Sequence, residues 1–77
     1  MNVINIGQKC GVSKDKIIAI FEAGSAPTKR VVTDAKNNGK LLDATHGQRT
    51  RSVIFTSDYV ILSMISVDTL IGRIEES

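Results

Sequence analysis

Apolar residues recur along this chain in short clusters separated by glycine and small polar residues, so the pattern predicts short elements. Val3-Ile4-Asn5-Ile6 reads as a strand stopped by Gly7. Residues 8–15 are polar and contain Gly11, which predicts a loop or turn. Lys16 to Glu22 is a β-branched run and reads as a second, largely buried strand. Helical signals follow. Ser25 offers an N-cap oxygen, and Pro27 falls in a first turn, where its missing N–H costs nothing. Val31, Val32 and Ala35 make an inward stripe, and Asn37-Asn38-Gly39 closes the helix with residues that tolerate positive φ. Leu41 to Ala44 is a short strand, and Arg51–Phe55 and Tyr59–Ile65 form a hairpin across Thr56-Ser57-Asp58. Val67, Leu70, Ile71 and Ile74 recur at i, i+3, i+4 and i+7, one face of a helix beginning after Ser66. Asp68 lies in its first turn, where a negative charge is favourable.

The expected fold is α+β: a small mixed or antiparallel sheet of about five short strands with two helices, in one domain spanning residues 1–77. At 77 residues such a domain buries only about 60–65% of its unfolded surface, so its core is thin. Two helices on so small a sheet could cover one face, and Phe55, Ile61, Met64 and Ile65 cannot all point into that core. A homo-oligomer that continues the sheet or buries its open face is the economical expectation.

Composition removes several function classes. Cys10 is the sole cysteine, so no disulfide forms within the chain, and no zinc-type spacing of Cys and His exists. No metal and no cofactor are expected. No run approaches the ~18 apolar residues of a membrane span, and no signal-peptide pattern opens the chain. A soluble cytoplasmic protein without membrane contact is the expectation. Net charge is only +2, but residues 8–51 hold nine Lys or Arg against four acids, while residues 52–77 hold one Arg against four acids. That split fits one basic face, with an unevenly solvated surface as the other reading.

Candidate chemistry concentrates at Asp43 to Arg51. Gln48, Arg49, Thr50 and Arg51 put two guanidinium groups and two hydrogen-bonding side chains into four residues. Guanidinium groups on a short, rigid loop suit bidentate capture of phosphate. In extended backbone Arg49 and Arg51 share a side, about 6.6–7 Å apart, and could grip neighbouring phosphates. The alternative is a structural salt bridge with Asp43 or Asp58, for which Arg51 is the better candidate. Lys29 and Arg30 oppose the helix dipole in the first helical turn. They fit a bound anion or an acidic group of a neighbouring subunit, or they extend into solvent. Lys9, Lys14 and Lys16 matter only if the fold brings them beside residues 46–51. His46 is not accompanied by a recognisable nucleophile, and neither a GxGxxG nor a Walker sequence is present, so neither catalysis nor a small-molecule ligand is expected.

The run SAPTKRVVTDAKNNGKLLDATHGQRTRSVIF, followed by VILS, resembles the RemA family, bacterial extracellular matrix regulatory protein A and its relatives. Members share a pattern close to SAPxKR, a helix ending in Gly, LIDATxGRRTRxVI, HVILS and a final helix. The likeness runs from Asn5 to about Arg73. It implies a DNA-binding transcriptional regulator, assembled as a ring and acting in biofilm-matrix or osmoprotection gene control, with double-stranded DNA as partner. The family's DNA-contacting basic positions fall on Lys16 and Arg49, and a third falls on Gln48, which adds no charge. His46 stands where Tyr is usual and adds charge if protonated. The other reading is a structural ring or adaptor that binds an acidic protein or RNA.

Overall fold

In a computed structural model, which describes residues 2–76, six strands and two helices form two sheets in an α+β fold. Strands β1 (Val3–Gly7) and β2 (Cys10–Ser13) make an antiparallel hairpin, and a 3-10 turn, Lys14–Lys16, leads from it into β3 (Ile17–Glu22). Helix α1 (Ala26–Asn37), β4 (Leu41–Asp43), β5 (Ser52–Thr56), β6 (Val60–Ser63) and α2 (Val67–Glu76) follow. The second sheet has the order β3-β5-β6-β4. Its β3/β5 and β5/β6 pairs are antiparallel, and β4/β6 is parallel.

β2 corrects the loop expected over residues 8–15. Its one β-branched residue, Val12, is too little for a local strand signal. Pairing with β1 and packing of Cys10 and Val12 on the core supply what propensity does not. Gly11 is part of the reason: a Cβ there would lie 2.7 Å from Cγ1 of Val3.

The helices do not share a face, as the sequence reading had it. Ile54 and Ile61 are cross-strand partners on one face and pack with Ile4, Ile6 and Leu70, so β1 and α2 cover that side. Val53 and Leu62 are partners on the other face and share a groove with Thr28 and Val32 of α1. The central strand β5 is therefore buried on both sides, with Ser52, Val53 and Ile54 all 0–1% exposed. Ser52 and Ser63 face each other across the ladder and are fully satisfied. Ser52 donates to the Ile65 carbonyl at 2.7 Å and Ser63 donates to the Ile6 carbonyl, which ties β1 and the entry to α2 onto the sheet.

Exposed apolar side chains do remain, but at other positions than expected. Ile61 is buried, and Phe55, Met64 and Ile65 are half-buried. Instead Ile18 is 69% and Phe21 41% exposed on edge strand β3, and Leu42 is 45% exposed on edge strand β4. Thus β3 is not largely buried. It is an edge, with a bulge between Ile17 and Ala19.

Candidate nucleic-acid interface

The loop between β4 and β5 is built from its backbone outward. Ala44 leaves β4 with its N–H on the Leu62 carbonyl at 2.9 Å, and Ala44 and Thr45 are both buried. The Gln48 N–H donates to the Thr45 carbonyl at 2.9 Å, which closes a turn with His46 at φ 52° and Gly47 at φ 82° between them. Two positive φ values define a type I′ turn. Glycine adopts one freely, and histidine is among the residues that tolerate it best. Asp43 braces the turn by accepting from the Thr45 N–H at 2.9 Å and from its hydroxyl at 2.6 Å. Those two bonds, the hydroxyl first, hold its carboxyl below the usual carboxylate range, and the nearby His46 adds to the effect.

The chain then runs extended between two strands. The Arg51 N–H donates to the Ser63 carbonyl at 2.9 Å, and the Arg51 carbonyl accepts from the Ala23 N–H at 3.1 Å. Its backbone is fixed while its side chain is exposed. The expected salt bridge is absent: among the described residues neither Arg49 nor Arg51 meets a carboxylate, and Asp43 is taken by Thr45. Arginine fits here through its main chain, and both guanidinium groups stay available.

Two clefts share these arginines. The smaller, about 230 Å³, is lined by Gln8, Gln48, Arg49, Arg51 and Met64, with no acid. The larger, about 420 Å³, adds Glu22 and Asp68 to Arg49 and Arg51, where Ser66 and Val67 begin α2. The first is a positive, hydrogen-bonding surface. The second carries two charges of each sign.

The fold gathers some predicted site residues and separates others. Lys9 and Cys10 come to the loop, because the Cys10 thiol lies 3.5 Å from Nε2 of His46 and fastens the β1–β2 hairpin to it. Lys29 lines a groove that also holds Gly24 and Thr50, so it reaches the arginine end of the molecule, and Arg30 is exposed on the same helical turn. Lys16 does not reach it. Its carbonyl accepts from the Ser57 N–H at 3.0 Å, at the far end of the β3–β5 ladder from Glu22 and Ser52. Six strand residues separate it from Arg51 by about 20 Å. The sequence reading missed Gln8, Glu22 and Asp68. Only the strand register and the helix start bring them in, and no local signal marks them. Among the described residues, no cluster of three or more His, Cys, Asp or Glu could hold a metal ion, and no helix is long and apolar enough to cross a membrane.

A family model described as RemA-like, extracellular matrix regulatory protein A-like, matches residues 3–74. The chain belongs to the RemA-like family. A protein of Geobacillus thermodenitrificans is 52% identical over 75 residues, covering 96% of this chain and 86% of its own length. Relatives in Thermodesulfovibrio yellowstonii and Nostoc punctiforme are 48% and 49% identical, covering 96% and 95% of this chain and 88% and 84% of their own lengths. All three carry the name "Putative regulatory protein". The match spans both clefts of this RemA-like chain and covers the stretch over which the sequence itself shows the likeness, Asn5 to about Arg73.

Proposed function

We propose that this RemA-like protein is a non-catalytic, DNA-binding transcriptional regulator. It acts in the cytoplasm as a ring-shaped homo-oligomer and grips the backbone of duplex DNA through the loop 46–51, repeated around the ring. The observation that carries this reading is the acid-free cleft in which Gln8, Gln48, Arg49 and Arg51 converge, with neither guanidinium group meeting a carboxylate among the described residues. A pre-fixed loop loses little entropy on meeting a phosphate, and unpaired arginines need not break an existing ion pair first. Each subunit then needs only one or two weak contacts, because repetition raises the effective concentration for every later one. Family membership supports control of biofilm-matrix or osmoprotection genes as the setting. Phosphate contacts carry no base information, so site choice falls to groove contacts or DNA bending.

The second cleft favours a different reading. Glu22 and Asp68 beside the same arginines would suit the mixed charges of a protein surface, so an adaptor ring on an acidic protein, or on RNA through the acid-free cleft, is the alternative.

A salt-titrated DNA-binding assay separates them. Arg49→Ala should weaken duplex binding at least about tenfold at low salt and flatten the plot of log affinity against log salt by roughly one unit per contacting subunit. The assembled mass should not change. Unaltered affinity, or wild-type binding that ignores salt, would overturn the DNA reading. Preference for single-stranded RNA in competition would establish the alternative.

A further inference from the structure

The larger arginine cleft, about 420 Å³, carries charges that a phosphate does not call for. Glu22 ends β3, while Arg49, Thr50 and Arg51 come from the loop and Val67 and Asp68 begin α2. Two guanidinium groups and two carboxylates therefore line one hollow, and their charges cancel. Yet among the described residues no ion pair joins them. Opposite charges that share a cleft without touching leave room for a molecule between them. No local motif announces such a site, because its lining comes from three segments distant in sequence.

The walls are fixed before any ligand arrives. The Ala23 N–H on the Arg51 carbonyl, at 3.1 Å, ties the end of β3 to the loop, and the Arg51 N–H reaches the Ser63 carbonyl. The Ser52 hydroxyl donates to the Ile65 carbonyl at 2.7 Å and holds the approach to α2. Ser66 then caps that helix: its hydroxyl oxygen lies 3.3 Å from the Thr69 N–H, and its carbonyl accepts from the Leu70 N–H. The N–H groups of Val67 and Asp68 have no acceptor among the described residues, as is usual for the first N–H groups of a helix. With the two arginines they suit a carboxylate, at the positive end of a ten-residue helix. Glu22 and Asp68 offer acceptors for an ammonium group.

Net charge selects the ligand. A free anion would meet two acids there, and a free cation two arginines. A small neutral molecule that carries both charges satisfies all four groups. The volume lies within the range of small-ligand sites, and Ala23 and Val67 add an apolar wall for a side chain. We propose that this cleft binds a small zwitterion of the α-amino-acid kind, its carboxylate on Arg49, Arg51 and the start of α2 and its ammonium group on Glu22 and Asp68. Arg49 and Arg51 also line the acid-free cleft, so the bound zwitterion competes with a phosphate for them. The competition rests on the DNA reading above, but the binding does not.

NMR titration of the protein without DNA tests the binding. Among the common L-amino acids, some should shift the Glu22 and Arg51 side-chain resonances together at millimolar concentration. For the tightest of them, N-acetylation removes the ammonium group and amidation removes the carboxylate, and each should weaken binding about tenfold. Glu22→Gln should erase the penalty for N-acetylation and keep the penalty for amidation, and Arg51→Gln should do the reverse. No shift with any amino acid, or equal binding of the free and N-acetylated forms, overturns the proposal. So does an affinity that both variants leave unchanged. A saturating amino acid should also weaken duplex binding, and the duplex should weaken amino-acid binding by the same factor. Unchanged duplex affinity would uphold the site and overturn the competition. A protein that binds the amino acid but no duplex DNA upholds the site and overturns the DNA reading instead.

Discussion

At the scale of single residues, Thr45 does more for the loop than its neighbours' charges do. It is 4% exposed and gives Asp43 both its N–H and its hydroxyl. The folded-state pKa of Asp43 is therefore lowered. The sign follows from linkage: a depressed carboxylate contributes stability above its unfolded value of about 3.9, and that stability is lost as pH falls through the folded value. Thr45→Val keeps the shape and removes the hydroxyl, the largest cause. The Asp43 titration followed by NMR should then move up towards the ordinary range, and the part of the stability lost on acidification that Asp43 carries should shrink. An unmoved titration would mean that the backbone N–H alone sets it. The sequence showed Asp43, Thr45 and His46 as neighbours. It could not show that the acid turns to threonine rather than to arginine, because that choice follows from the turn at His46-Gly47.

At the scale of elements, α1 was legible almost to the residue. Ser25 caps it, with its oxygen 3.3 Å from the Thr28 N–H and its hydroxyl donating to Thr28 Oγ1 at 2.7 Å, and Gly39 takes φ 70° just beyond its end. These are local rules, so sequence suffices. The first turn ends on Lys29 and holds no acid, which leaves the cap to offset the dipole alone. Ser25→Ala should therefore cost about 1–2 kcal/mol in urea unfolding, at the upper part of the usual range for a lost cap. A change within error would show that Thr28 and Pro27 hold the first turn unaided. Strand β2 is the opposite case. Nothing local marks residues 10–13 as extended, and they are a strand only because β1 and the core lie alongside.

At the scale of the whole molecule, stability runs through one small cluster. Leu70 is fully buried and joins α2 to Ile4, Ile6, Ile54 and Ile61. Stability for a domain of this length is on the order of 4–12 kcal/mol, and Leu→Ala in a core costs about 2–5 kcal/mol. Leu70→Ala should thus lower the urea midpoint by roughly a third or more, and it should release α2, whose first residues border the arginine cleft. Retained stability would show that the small core collapses around the cavity.

The sequence by itself determined the class of fold, the bounds of α1, the start of α2, the β5–β6 hairpin and the family, because caps, turn residues, periodicity and a dense local motif act over a few residues. It also singled out the loop 46–51. Tertiary structure alone decided that the helices cover opposite faces, that β3 is an edge, and that Lys16 and Arg49 stand at opposite ends of one chain. Those outcomes depend on which strands pair and in what order, and pairing between distant segments is settled by packing and register rather than by anything a short window of residues contains.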